Sequence, residues 1–353
     1  METFLQQLVN GISQGSAYAL IALGYTMVYG VLKLINFAHG DVYMFGAFMG
    51  FYIANSSWFQ ATMGSSVLSG VVVLLGAMVL ASMLGILIER FAYRPGRSPS
   101  PGTLSFWFGI LGAGFGYLLG QTPGAVAAGA FVGIMIGVVL EKWGLRPRAQ
   151  SSSLKILIIA IGVSFFLENG GQQVFGADPK FFPQIIPTKV LDVAGLSLDS
   201  QKLTVLGVAI VLMVLLNVIV NYTRTGRAMR AVSFNLDAAK LMGINTDRII
   251  AFTFGLGSAL AGAGGILVSL MYPKIDPLMG ILPGLKAFVA AVLGGIGNIT
   301  GAMLGGLIIG LAEVMAVGYG QSTYRDAIAF VILVLILLIK PTGIMGKGMV
   351  EKV

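Results

Sequence analysis

Long apolar stretches, rather than short alternations of apolar and polar residues, dominate this chain of 353 residues. Mainly apolar runs fall near 5–32, 42–62, 67–88, 104–120, 125–141, 154–174, 203–221, 250–271, 301–318 and 326–340. Each comes close to the ~20 residues that an α-helix needs to cross a hydrocarbon core ~30 Å thick. A shorter run, 283–297, opens at Pro283-Gly284 and closes at Gly294-Gly295-Ile296-Gly297. It reads either as a short span or as a re-entrant half-helix covered by its neighbours. The pattern predicts an all-α fold, a polytopic transmembrane helical bundle of about nine core crossings plus an inserted hairpin, about eleven in all. The hairpin is assigned to 98–150, where two Gly/Ala-rich runs meet at the turn signal Gln121-Thr122-Pro123-Gly124. Basic loops bracket it, so it leaves the topology around it unchanged.

Composition supports lipid as the solvent: 56% of residues are hydrophobic and 10% charged, against about 25% charged in an ordinary soluble domain. The formal net charge of +8 would suit nucleic acid in a soluble protein. Here the basic residues cluster in four places: Arg90, Arg94 and Arg97; Lys142, Arg146, Arg148 and Lys155; Arg224, Arg227, Arg230, Lys240 and Arg248; and Lys340, Lys347 and Lys352. With eleven crossings all four fall on one side, which the positive-inside rule makes the cytoplasm. The expected orientation has the N-terminus outside and the C-terminus cytoplasmic, with lipid as partner and no nucleic acid. No Lys or Arg precedes Lys33, so the first apolar stretch is expected to belong to the mature protein.

Catalytic chemistry finds little material. Cysteine is absent and there is one histidine, which excludes thiol chemistry and multi-histidine metal sites. The segment Gly343-Ile344-Met345-Gly346-Lys347-Gly348 has a Gly-Lys but lacks the spacing and the Ser/Thr of a phosphate loop. No metal site, no catalytic set and no cofactor on this chain is expected. If transport uses ATP, the nucleotide and its magnesium belong to another polypeptide.

Charges inside a membrane are costly and are usually paired or functional. Glu313 lies mid-span, Lys286 early in 283–297, and Glu168 late in 154–174 beside Asn169, Gln172 and Gln173. Lys286 and Glu313 are expected to form an ion pair if their helices are neighbours, with a direct part in the translocation pathway as the alternative; Glu168 is expected near the outer surface. His39 falls in the turn between the first two spans, where Asn36 or Asp41 would cap the next helix. Gating by Asn36 and His39 is the alternative, and Asn298 joins the candidate pathway set. Tyr18, Tyr25, Tyr29 and Tyr43 read as helix-interface or membrane-belt residues. Small residues four apart, as in Gly46/Gly50, Ala261/Gly265, Gly301/Gly305 and Gly306/Gly310, predict close helix packing, with pore lining the alternative.

The loop at 222–248 carries the clearest local signal. After Asn235 a short helix is predicted, with Asn235 as cap, Asp237 in the first turn, Ala238-Ala239 as formers and Gly243 as the stop. Leu236, Ala239, Lys240 and Gly243 would share one face, and Leu241-Met242 would form an apolar tip. A short amphipathic helix beside Arg227 and Arg230 suits docking onto another protein; a solvated loop or headgroup contact is the plain alternative.

Asp237-Ala238-Ala239 followed by Gly243 resembles the EAA…G loop of ABC-transporter permeases, with Asp one methylene shorter than Glu. The run Gly15-Ser16-Ala17-Tyr18-Ala19-Leu20-Ile21-Ala22-Leu23-Gly24-Tyr25 continues to Asn36-Phe37-Ala38-His39-Gly40-Asp41 and resembles permeases of branched-chain amino acid uptake systems, the LivH type. So do Lys286–Asn298 and Lys340-Pro341-Thr342-Gly343, and the likeness covers nearly the whole chain except roughly 98–150. The resemblance implies a bacterial inner-membrane, multi-pass permease subunit of an ABC importer, not an enzyme. It further implies a second homologous permease, two cytoplasmic ATPase subunits, a periplasmic substrate-binding protein and alternating access driven by ATP. Asp237, Ala238, Ala239, Leu241, Met242 and Gly243, with Arg227 and Arg230, would couple the spans to the ATPase. Urea or short amides as substrate, and an ion-coupled secondary transporter, are the alternatives.

Overall fold

The computed structural model describes residues 2–33, 35–97, 109, 113, 123–142, 153–193, 196–320 and 322–346. Residues 1–89 with 160–353 form one compact unit and residues 90–159 another. In the larger unit α1 (Glu2–Leu32) leads to α2 (His39–Ala54), α3 (Ser57–Thr62) and α4 (Val67–Ile88). The chain continues through a π-helical turn at Glu89–Tyr93 into α5 (Arg94–Arg97), and α6 (Pro123–Lys142) follows. The hairpin arm predicted at 104–120 lies almost wholly outside the described residues; the arm predicted at 125–141 is α6.

Six helical segments among the described residues are long and apolar enough to cross a membrane: Thr3–Leu32, Val67–Tyr93, Ser200–Tyr222, Thr246–Met271, Ile299–Tyr319 and Ser322–Ile339. One expectation changes. The stretch at 42–62 is broken: α2 stops at Ala54, and the Ser56 hydroxyl accepts from the Phe59 amide to start α3. A serine between helical runs satisfies an orphan amide better than it continues a helix. The 283–297 run is α12 (Ile281–Gly294), 14 residues or about 21 Å at 1.5 Å per residue, shorter than the hydrocarbon core.

The remaining elements are α7 (Ser153–Phe175), β1 (Lys180–Phe181), β2 (Val190–Val193), β3 (Leu196–Asp199), α8 (Ser200–Tyr222), α9 (Arg224–Phe234), α10 (Leu236–Leu241), α11 (Thr246–Met271), β4 (Lys274–Ile275), α13 (Ile299–Tyr319) and α14 (Arg325–Ile339). The strands were not anticipated. β1 pairs antiparallel with β4, Lys180 opposite Ile275, and β2 pairs with β3, Val190 opposite Asp199. The sequence does carry a hairpin signal, Val190-Leu191-Asp192-Val193 and Leu196-Ser197-Leu198-Asp199 around Ala194-Gly195.

The core is built by helices approaching to backbone contact. α1 and α13 run antiparallel: a methyl group on Gly15 would stand 2.8 Å from the Leu307 Cα, and one on Gly306 would enter the Ala19 backbone. The Gly46/Gly50 face of α2 meets Gly262 and Ile266 of α11, and Gly265 faces the Tyr43 carbonyl. In lipid no hydrophobic force draws helices together, so close packing of small residues replaces it.

Candidate functional site

Gly295 and Gly297 adopt positive φ, 102° and 93°, and turn the chain from α12 into α13 at little steric cost. The turn lays α12 along α13 and puts Lys286 opposite Glu313, with Nζ 2.7 Å from Oε1; the two side chains are 5% and 1% exposed. The expected pair is therefore present, but as part of a larger cluster. α14 opens with two adjacent charges. Arg325 Nε reaches the same Glu313 oxygen at 2.5 Å, and the Asp326 carboxylate accepts from Lys286 Nζ at 2.6 Å. Two acids and two bases cancel in charge, which is the condition under which ions persist at a buried site.

A hydrogen-bonded chain extends from this cluster. Arg325 donates to the Tyr272 hydroxyl at 3.4 Å, Tyr272 donates to Gln14 Oε1 at 3.2 Å, and Gln14 Nε2 donates to the Tyr18 hydroxyl at 3.0 Å. Lys286 also stands over the Tyr18 ring, 5.8 Å from its centroid. These groups border a cavity of about 330 Å³ between α1, α2, α11, α12 and α14. Arg325, Asp326, Tyr272 and Gln14 escaped the sequence reading. Arg325-Asp326 stands at the mouth of the last apolar run, where charges read as an interfacial flank.

Asn36, His39 and Asp41 are buried together at the start of α2. The cap position falls on Ala38, which makes no side-chain cap bond, so Asp41 is not the cap of α2. Asp41 sits inside the first turn and accepts from the Ser164 hydroxyl of α7 at 2.5 Å. The His39 ring meets Tyr25 edge-on at 4.6 Å. A methyl on Gly24 would collide with that ring, which explains the glycine. Glu168, half-buried, joins Asp41 and Ser164 on a smaller cavity of about 150 Å³. Asn298 caps α13: Oδ1 accepts from the Gly301 amide at 3.0 Å and Nδ2 donates to the Met345 carbonyl at 3.0 Å. It is not brought to the Lys286–Glu313 cluster.

The loop helix has the predicted ends. Asn235 Oδ1 accepts from the amides of Asp237 and Ala238, α10 covers Leu236–Leu241, and Gly243 turns the chain at φ 80°. Of the predicted shared face only Ala239 is buried. Leu241 and Met242 are 88% and 83% exposed, and Phe234, not singled out in the sequence, is 94% exposed. Arg227 is exposed, and Arg230 bonds back to the Val220 carbonyl at the end of α8. Asp237 and Lys240 stand 3.7 Å apart at an exposed site, a pair worth little in solvent.

Buried ion pairs, glycine-packed spans and a loop helix with an apolar tip describe a transport subunit. The chain matches the family described as "Branched-chain amino acid transport system / permease component" over residues 7–117 and 102–337. The chain belongs to this family. Among its curated relatives, the permease LivH of a high-affinity branched-chain amino acid transport system from Salmonella typhimurium is 38% identical over 99% of this chain and 98% of its own. LivH from Escherichia coli K12 gives the same identity and coverage. The corresponding permease BraD of Pseudomonas aeruginosa is 36% identical over 99% and 98%. No solved structure matches the chain. Among the described residues of this permease, no group of three His, Asp or Glu is placed to hold a metal.

Proposed function

We propose that this permease is the membrane subunit of an ATP-binding-cassette importer for branched-chain amino acids in a bacterial inner membrane. Full-length similarity to permeases of that substrate class carries the reading. ATP and magnesium would sit on two ATPase subunits, with a second related permease completing the pore and a periplasmic binding protein delivering substrate. The apolar tip of Phe234, Leu241 and Met242, held clear of the bundle by the Asn235 cap and the Gly243 turn, supports α10 as the contact with an ATPase. With that contact, α10 and the other basic loops would lie in the cytoplasm, and an odd number of crossings would leave the N-terminus outside. The ion-coupled alternative would need Lys286 or Glu313 free to exchange ions; Lys286 is held by Glu313 and Asp326, and Glu313 Oε1 by Lys286 and Arg325, while Glu313 Oε2 is buried without a hydrogen-bond partner.

A pull-down of the tagged chain from mild detergent tests this. Wild type should retain an ATPase and a second permease, and an Asp237→Arg, Gly243→Val double variant should lose the ATPase. A chain that purifies alone in both cases and still supports uptake would defeat the reading.

A further inference from the structure

The 330 Å³ cavity beside the ion cluster has features that the cluster itself does not use. We propose that it is a weak binding site for a zwitterionic α-amino acid with an apolar side chain, a station for the substrate within this chain. This rests on the transport reading above and names a place and a chemistry for it.

Three observations carry it. First, Tyr43 is fully buried yet forms part of the cavity wall, and its hydroxyl has no hydrogen-bond partner. A buried hydroxyl left unpaired costs about as much as a lost hydrogen bond; it has no accessible surface in this structure, so a ligand acceptor would repair it once the ring turns toward the cavity. Of the neighbouring hydroxyls, Tyr272 donates to Gln14 Oε1 and Tyr18 accepts from Gln14 Nε2.

Second, the charges on the wall divide into spent and available. Lys286 is neutralised by Glu313 and Asp326. Lys274, on the β4 strand that follows α11, borders the same cavity, is exposed, and makes no ion pair among those the structure shows. Asp326 is half exposed while one of its oxygens holds Lys286, leaving the other oxygen an acceptor. The cavity therefore offers a cation and a hydroxyl donor for a carboxylate, and a carboxylate edge for an ammonium group.

Third, beside the polar groups, which include Gln14 and Arg325, the wall has an apolar part: Ala17, Val268, Met271, Met279, Leu282 and Pro283. Such a part of the wall receives a branched aliphatic group. The volume lies at the low end of the ~300–1,000 Å³ typical of small-molecule sites, suited to one amino acid. A station on a conduction path must bind well enough to admit its cargo and loosely enough to release it. The expected dissociation constant is therefore on the order of 1 mM.

The test is saturation-transfer-difference NMR on the full chain in lipid nanodiscs, with whatever partners it retains. The probes are leucine, leucinol (no carboxylate) and 4-methylpentanoate (no ammonium). Leucine should saturate near the millimolar range, and each truncated probe should bind about 10-fold more weakly, the loss expected for one charged hydrogen-bonded contact. Tyr43→Phe and Lys274→Met should each weaken leucine by roughly 5–10-fold. Tyr43→Phe should not lower the melting temperature, since it removes an unsatisfied hydroxyl; a fall in melting temperature would show that the hydroxyl serves the fold and would overturn its assignment to ligand. Equal binding of 4-methylpentanoate and leucine, leucine binding unchanged in both variants, or no saturation would each overturn the proposal. Uptake of labelled leucine by cells carrying the intact system is read in parallel. Absence of uptake in wild type defeats the transport reading, whereas uptake without saturable binding to the chain defeats the site alone.

Discussion

The ion cluster yields a quantitative test of how this fold tolerates charge. Glu313 is 1% exposed and Lys286 5% exposed, so neither can be stranded without penalty. Removing one partner of a buried pair costs about 3–5 kcal/mol when nothing else compensates. Here compensation is partial. In Glu313→Gln, Lys286 keeps Asp326 at 2.6 Å, and Arg325, at 37% exposure, turns to solvent. In Lys286→Met, Glu313 keeps Arg325 at 2.5 Å, and Asp326, at 50% exposure, rehydrates. Each single variant should therefore lose about 2–3 kcal/mol, below the uncompensated figure.

The double variant Lys286→Met, Glu313→Gln removes one buried charge of each sign and leaves Arg325 and Asp326, both of which reach solvent. Replacing a buried pair by uncharged groups is often neutral, so the double variant should lie within ~1 kcal/mol of wild type and be several kcal/mol better than additivity. The assay is the temperature at which detergent-solubilised chain loses its monodisperse elution after a fixed heating time. At roughly 2 °C per kcal/mol for a chain of this size, each single should fall by about 4–6 °C and the double by no more than ~2 °C. Singles that match wild type, or a double as damaged as the sum, would refute the view that cluster neutrality holds α12, α13 and α14 together.

Other outcomes follow from named contacts. Gly306→Val should abolish accumulation of folded chain in membranes, because its side chain enters the α1 backbone at Ala19; Gly162→Ala, which meets nothing within 4 Å, should fold normally, and a fluorescence-tagged elution profile separates the two. At Gly243 the space is open and only the φ of 80° constrains the residue. Gly243→Asn should therefore keep uptake, while Gly243→Val, costing roughly 1–2 kcal/mol of backbone strain, should lose uptake and the ATPase with the chain still inserted. Deleting 98–150 should leave the C-terminus on its original side of the membrane, read by a reporter fused there; a switched side would show that the hairpin assignment is wrong.

What the sequence disclosed depends on how locally each feature is encoded. The ends of α10 were legible because a cap and a positive-φ stop are chosen by residues within one turn: Asn235 bonds the next amides and Gly243 bends the chain. The same logic erred at Asp41. An acidic residue suited to a first turn reads as a cap in the sequence, whereas α2 starts at His39 and the carboxylate is used across the bundle at Ser164. Lys286 and Glu313 stood out singly because charge inside an apolar run is costly. Arg325 and Asp326 were invisible, since at the edge of a span a charge is unremarkable until a neighbouring helix brings a partner to it. The cavity they border draws on five helices and has no signature in any one segment.

Packing shows the same limit more sharply, and also how far it recedes. The stripe Gly306/Gly310 announces a close approach but not its partner. α1 carries a matching stripe, Gly11, Gly15 and Ala19, at the same four-residue spacing. In the fold Gly310 meets Gly15, Gly306 meets Ala19, and Gly11 lies against Leu311 in an antiparallel register. Two helices that approach to backbone contact must both be small at every crossing point, so equal spacing on both is a requirement of the contact rather than a coincidence. Yet α2 bears Gly46/Gly50 at that spacing too, and it packs on α11 instead. Spacing therefore states which faces are smooth enough to touch. The choice among smooth faces is made by what lies beside them: the side chains that must fit around each crossing, the short link from α12 to α13, and the Lys286–Glu313–Arg325–Asp326 cluster that binds α12, α13 and α14 into one group.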